Sequence, residues 1–345
     1  MKKRTSQWLG LLLVLTMSIA LFGCGAKTES NETPSAENNK PAETSQDKKL
    51  KFGYIAYNMK DMWNMYGAEA FEYAGKQTGV ETVILDAENN LEKSVSLMEE
   101  LISKKVDGIS IYPISPEQAA TLSKMANDAG IPVTFENLKP GDNAGDYIST
   151  VAAEYDVIGA KAIEFIAATW PGSKVLFVAG AKGSGVYETY QEGVDRALQE
   201  AEDKVTLVDV VHGDWETEKS MNVTQNFIQT GKEFDVVFAN NEMQAKGVMN
   251  ALKEAGLQDK VKVVSTGGGP DGLKMIEDGE LTATMSAPVS LQGLITFKNL
   301  YQHAHGKTPD KFITLPIIPV TKESLQSAIS WQVNDLAVEY IGGFE

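Results

Sequence analysis

Residues 106–135 read VDGISIYPISPEQAATLSKMANDAGIPVTF. They pass from a β-branched run, through a Ser-Pro helix start and an Ala-rich amphipathic segment, to a second β-branched run. That succession is strand, helix and following strand of a parallel sheet, and Gly130 suits the position just past a helix end. The same grammar returns at FDVVFA (234–239), a helical stretch at 242–256 and VKVVS (261–265), with 23 residues from Asp107 to Gly130 and 21 from Asp235 to Gly256. Outward from these two units, KFGYIAY (51–57) and VETVILD (80–86) alternate with helical stretches at 62–78 and 90–104. After residues 147–151 the pattern restarts, with a helix near 154–169, KVLFVAG (174–180), a helix from about 186, KVTLVDVV (204–211) and a helix at 216–230. The expectation is an α/β protein of two doubly wound, parallel-sheet lobes with a cleft where the carboxyl ends of the strands face each other.

Composition narrows the function classes. The 345 residues are 43% hydrophobic and 23% charged, with a net charge of −16, which argues against a nucleic-acid partner. Arg4 and Arg196 are the only arginines, so a site needing a guanidinium fork for phosphate or carboxylate lacks material. Lys2, Lys3 and Arg4 precede an almost unbroken apolar run at 8–23, the pattern of an export leader. The run ends Leu21-Phe22-Gly23-Cys24, which resembles the lipobox of bacterial lipoproteins, where the cysteine carries the lipid that anchors the protein to the membrane. Phe22 is bulkier than that motif usually shows. Cys24 is the only cysteine, so no intrachain disulfide is possible. Residues 25–49 hold no aromatic or large aliphatic side chain and read as a flexible tether.

No catalytic constellation emerges. His212, His303 and His305 lack a ligand-like pattern, so no metal is expected. Residues 180–185, GAKGSG, lack the Gly-Lys-Ser/Thr ending of a phosphate loop, and Lys182 stands where a nucleophile elbow around Ser184 needs glycine. Neither an enzyme nor a cofactor is expected.

The stretches KFGYIAY, ILDAENN, ELISKKVDGISIYPISP, AGIPV, VFANNEMQAKGVMNALKEAG and VVSTGGGPDGLKMIEDGELTATMS run in unbroken order through residues 50–330. Together they resemble type I periplasmic binding proteins, most closely the ribose and galactose branch that serves ABC importers. The resemblance implies two lobes joined by three crossovers, here near 152–154, 286–288 and 316–321. The lobes would be 50–152 plus 288–318 and 153–287 plus 319–345, after a leader at 1–23 and a tether at 24–49. A monomer would close on a small-molecule ligand and present the closed form to an ABC permease.

The resemblance also implies site residues. After the first strand stand Asp61, Trp63 and Asn64, where sugar binders carry a polar residue and two aromatics; a tryptophan face stacks on the C–H face of a sugar. Glu136-Asn137 replaces an Asp-Arg pair, Glu188 falls where the family has arginine, Trp215 matches a family aromatic and Asn241 its amide. Gly267 replaces an aspartate and Ala287 a glutamine. The lost arginines leave two ligand classes open: a sugar or polyol, or a cationic amine held by Asp61, Glu136 and Glu188 beside aromatic faces. Import and presentation to a membrane sensor also remain alternatives.

Overall fold

The structure is a computed structural model that describes residues 49–344; the expected leader, Cys24 and all but the last residue of the tether lie outside them. The chain opens with β1 (Lys51–Ala56), α1 (Met62–Thr78), β2 (Glu81–Asp86), α2 (Leu91–Ser103), β3 (Gly108–Ile111), α3 (Pro116–Asp128), β4 (Val133–Glu136) and β5 (Ser149–Ala152). It continues through α4 (Tyr155–Thr169), β6 (Ser173–Ala179), α5 (Val186–Ala201), β7 (Val205–His212), α6 (Thr217–Gln229), β8 (Val236–Ala239), α7 (Glu242–Glu254), β9 (Lys262–Gly267), α8 (Pro270–Glu277) and β10 (Ala283–Ser286). It closes with α9 (Val289–Ala304), β11 (Phe312–Thr314), β12 (Ile318–Thr321) and α10 (Asp335–Tyr340).

These elements form two six-stranded sheets, ordered β11-β5-β4-β3-β1-β2 and β12-β10-β9-β8-β6-β7. Every neighbouring pair is parallel except β10 with β12. Parallel strands need covering on both faces, which is why β3, β4, β8 and β10 are buried at every position. In the first sheet Phe52 and Tyr54 face one core, with Phe71 and Phe297, while Ile55, Ile109 and Phe135 face the other with Met98 and Leu101. The two doubly wound lobes expected from the strand–helix alternation are therefore present.

The helices start where side chains can replace missing backbone partners. Asp61, Asn90, Ser115 and Asn241 each accept the N–H three residues on, at the heads of α1, α2, α3 and α7. All four caps close loops at the carboxyl ends of strands, and two of them, Asp61 and Asn241, both start a helix and shape the cleft.

Neither lobe is continuous in the chain. After β10 the chain returns to the first lobe, where α9 packs on α1 and against β3, β4 and β5, and β11 adds beside β5. It then recrosses to place β12 beside β10. The assignment of all of 319–345 to the second lobe is corrected by the tail that follows. From 328 onward the chain comes back a further time: Ser290 Oγ donates to the Ser330 carbonyl, Lys298 Nζ donates to the Ile341 carbonyl, and the Phe344 ring stands 5.8 Å from Phe297. Apolar residues of the tail, Ala337, Ile341 and Phe344, find their burial on α9, and that burial draws the tail across.

The α1–α9 crossing sets where the head of α1 sits. A Cβ on Gly293 would stand 2.0 Å from the Gly67 carbonyl oxygen, so only glycine permits this approach. Gly293→Ala is expected to destabilise the protein by about 1–3 kcal/mol, the usual range for overpacking a core, read as a lower urea midpoint with the slope retained. An unchanged midpoint would mean that the helices do not approach as closely as described.

Candidate functional site

Between the strand ends lies a cavity of about 1390 Å³, walled by the head of α1 on one side and by the starts of α4, α5, α6 and α7 with the end of β9 on the other. It continues along the groove between α7 and α8. A smaller hollow of about 390 Å³, among α9, β11 and α10, touches the first lobe and the tail only. The larger cavity is the candidate ligand site, since it alone of the two is lined by both lobes.

Five expected residues line it: Asp61, Trp63, Trp215, Asn241 and Gly267. Asp61 caps α1, its Oδ1 accepting the backbone N–H and the side-chain Nδ2 of Asn64, both at 3.1 Å. The Trp63 indole Nε1 donates to Gln292 Oε1 at 3.2 Å, which fixes the ring to α9. Trp215 follows Asp214, and both hold left-handed backbone angles, φ 63° and 52°, in the loop after β7. Such a pair is strained for side chains other than glycine, and the turn it makes lays the indole on Gly180. A Cβ at Gly180 would lie 2.3 Å from two indole carbons. Asn241 Oδ1 caps α7 by accepting the Gln244 N–H at 2.8 Å.

Four expected contacts are corrected, because the structure commits their polar groups elsewhere and they lie outside the cavity lining. Asn64 is 2% exposed, and its Oδ1 accepts the Tyr57 N–H at 3.0 Å, so it shapes the loop after β1 from beneath. Asn137 bridges the first crossover: its N–H donates to the Val151 carbonyl at 2.9 Å and its Oδ1 accepts the Tyr155 hydroxyl at 3.4 Å. Glu188 turns back on its own loop, taking the N–H groups of Gly183 at 2.6 Å and Gly185 at 2.7 Å. Those backbone donors, Gly183 foremost, hold its carboxyl below the ordinary range.

Glu136 is the largest departure. Its side chain is completely buried and points into the first lobe rather than the cleft. The Tyr54 hydroxyl donates to Oε2 at 2.8 Å and Gln292 Nε2 to the same oxygen at 3.1 Å, while Thr296 Oγ1 and Ser110 Oγ approach Oε1 at 2.7 and 3.3 Å. Burial raises this carboxyl above the usual carboxylate range, outweighing the opposing pull of the four donors. Through Gln292, which touches both Glu136 and Trp63, the buried group orients a cleft tryptophan without reaching the cleft itself.

Trp331 and Asn240 line the cavity without having been singled out in the sequence. Trp331 comes from the returning tail; its Nε1 donates to the Gly267 carbonyl at 2.9 Å, and its ring meets Trp63 edge-on at 5.3 Å and Tyr66 at 6.2 Å. An isolated aromatic in the polar stretch SAISWQVND was its only signal. Asn240 is 3% exposed; its Oδ1 accepts the Gly180 N–H at 2.8 Å, while Nδ2 has no protein partner. Its signal was its place beside Asn241 in the loop after β8. Tyr155 stacks on Tyr190, ring centres 5.4 Å apart, and the Tyr190 hydroxyl pairs with Thr266 Oγ1 at 3.2 Å, which gives the second-lobe wall an aromatic face with fixed hydroxyls. Among the described residues no cluster of three or more His, Cys, Asp or Glu is arranged to hold a metal, and no helix is long and apolar enough to cross a membrane.

Two indoles in edge-on contact couple their electronic transitions. The far-ultraviolet circular dichroism of the protein is expected to show a tryptophan couplet that disappears in Trp63→Phe and in Trp331→Phe alike. A couplet that survives either change would place the tail elsewhere.

The chain matches the periplasmic binding protein domain family over residues 52–308. It is 26% identical over 307 residues to the ribose import binding protein of Bacillus subtilis (strain 168), covering 88% of this chain and 96% of the relative. It is 33% identical over 210 residues to the ribose import binding protein of Salmonella typhimurium, covering 60% of this chain and 69% of the relative. Among solved structures, a solute binding protein of an ABC transporter from Bacillus halodurans C-125 with bound myo-inositol superposes with a TM-score of 0.69 at 25% identity, covering 82% of this chain and 98% of that one. A periplasmic solute binding protein from Actinobacillus succinogenes 130z with bound D-allose gives 0.71 at 22% identity, covering 81% and 100%. With its two lobes, its shared cleft and this match over most of its length, the chain belongs to the periplasmic binding protein domain family and is a solute-binding protein rather than an enzyme.

Proposed function

We propose that this protein is an extracytoplasmic lipoprotein that captures a sugar or polyol in the interlobe cleft by hinge closure and hands it to an ABC permease. The observation that carries the reading is the cleft wall: tryptophans at 63, 215 and 331 stand among Asp61, Asn240 and Asn241, aromatic faces for C–H surfaces beside polar groups for hydroxyls. Ligand touching both lobes stabilises the closed form alone, so binding shifts the population toward it, and that closed surface is what a membrane partner reads. We take the acting form to be a monomer.

The cationic-amine reading loses most of its support. Of the three carboxylates it rested on, Glu136 and Glu188 are turned away, and the acidic groups that do line the cavity, Asp61, Glu242 and Asp271 among them, are interspersed with Lys60, Lys246 and Lys274. A sensor role in place of import uses the same closure and differs only in the partner.

Three outcomes are expected. A ligand at 100 times its dissociation constant stabilises by about 2.7 kcal/mol, so thermal unfolding of the chain from residue 25 should rise with one of D-ribose, D-allose or myo-inositol and not with polyamines. A rise with polyamines alone would reverse the ligand class. Trp63→Ala and Trp215→Ala should each weaken that binding by at least about 0.5–1.5 kcal/mol by calorimetric titration, and normal binding by both would relocate the site. Cys24→Ser should move the protein from the membrane to the soluble fraction of cells; retention in the membrane would count against the lipid anchor.

A further inference from the structure

After β12 the chain passes through Leu325 and Ala328, which pack in the core of the second lobe, and by Ser330 it is bonded to the first. This is a further passage between the lobes, beyond the three that the family resemblance implies, and Trp331 follows it directly. The loop that carries Trp331 is pinned. Asn334 Nδ2 donates to the Ala328 carbonyl at 3.1 Å, Asn334 Oδ1 accepts the Ala337 N–H at 2.9 Å at the head of α10, and Ser290 Oγ at the start of α9 donates to the Ser330 carbonyl at 2.6 Å. The indole therefore moves with the first lobe, where its ring meets Trp63 and Tyr66 of α1 at 5.3 and 6.2 Å.

The acceptor of its N–H belongs to the second lobe. Trp331 Nε1 donates at 2.9 Å to the carbonyl of Gly267, the last residue of β9, and the same oxygen accepts the N–H of Ala287, at the second crossover, at 3.1 Å. Glycines give the second lobe this approach. Gly267 and Gly268 hold φ angles of 138° and 84°, a region that favours glycine, and a Cβ on Gly269 would crowd the indole carbons Cε3 and Cζ3 at 3.2 and 3.3 Å. A hydrogen bond weakens steeply as its atoms separate or lose alignment. Here donor and acceptor sit on bodies that turn against each other, so the bond is complete over a narrow range of hinge angles.

We propose that Trp331 is a latch between the lobes: carried on the first lobe by the pinned loop 328–334, it closes its indole N–H onto the Gly267 carbonyl of the second when solute is bound. This rests on the reading above of a sugar or polyol captured by hinge closure, and deepens it. Trp331 acts here as a positioning residue, adding to the closed form an interaction that the solute does not itself make. Whatever favours the closed form raises the binding-competent fraction, and the apparent affinity tightens by the same factor while the open form predominates without solute. One hydrogen bond of this kind corresponds to about two- to tenfold in affinity.

The test follows the indole proton itself. Nuclear magnetic resonance of wild type, free and with whichever of D-ribose, D-allose or myo-inositol binds, identifies the Trp331 indole N–H by its Overhauser contacts to Trp63 and Tyr66 and measures its exchange with solvent. Exchange is expected to be slower in the bound protein. Calorimetric titration supplies the second readout. Trp331→Phe keeps an aromatic ring and removes the N–H, and Ser290→Ala releases the loop without touching the cleft; each should weaken binding by about two- to tenfold. An indole N–H that exchanges equally fast in free and bound protein is a static tie and overturns the proposal while leaving the sugar reading intact, even if both variants fail to fold. A Trp331→Phe protein that binds as wild type does overturns it likewise. If wild type binds none of the three, the sugar reading falls and this proposal falls with it.

Discussion

Glu136, at the end of β4, gathers hydrogen bonds from Tyr54 of β1, Ser110 of β3, and Gln292 and Thr296 of α9. α9 reaches the first sheet only after five of the second lobe's six strands have been laid down, more than 150 residues beyond Glu136. A buried carboxyl without a cation is costly unless every lone pair is met. That cost specifies position: α9 must present Gln292 and Thr296 to this point or leave the carboxyl unmet. α1 is carried along, because it packs on α9 through Gly67 and Gly293, and the head of α1 is one wall of the cleft. The buried cluster therefore sets the angle at which Asp61 and Trp63 face the second lobe.

The returning tail adds the complementary constraint. One indole, Trp63, is tied to α9 of the first lobe and the other, Trp331, to the Gly267 carbonyl of the second, and the two rings touch. Gly267 is also where Glu242 is seated, so the aromatic corner and the acidic floor share one turn of backbone at the end of β9. A solute entering here meets stacking surfaces and hydrogen-bonding groups whose positions are fixed by packing remote from it. Pre-organised contacts of that kind let binding energy go into closing the hinge rather than into ordering the site.

The alternation of buried strands and capped helices was legible because a parallel sheet covered on both faces leaves a strong hydrophobic pattern, as at KVLFVAG and FDVVFA. The residues at strand ends were half legible. Trp63 and Trp215 are too large to hide in a loop and were found, whereas a carboxylate such as Glu136 or Glu188 serves a cleft or a network behind it equally well on paper. What decided Glu136 was a set of donors from α9, and what decided Glu188 was the fold of its own loop; neither is a local property of the sequence. The tail escaped for a similar reason, since Ala337, Ile341 and Phe344 are spaced as a short helix without stating which lobe they cover. On paper Glu242 reads equally well as a solvated helix-start residue, because what seats it, the glycines of 267–272, lies on a different helix-start loop.

The claim on which the account turns is that the two lobes approach when a solute binds between them. Small-angle X-ray scattering of the chain from residue 25, with and without the sugar or polyol that raises its melting temperature, measures this directly. The account predicts a smaller radius of gyration in the bound state, with the change reduced in Trp215→Ala at the same ligand concentration when that concentration lies near the wild-type dissociation constant. A bound protein whose scattering superimposes on that of the free one would contradict it.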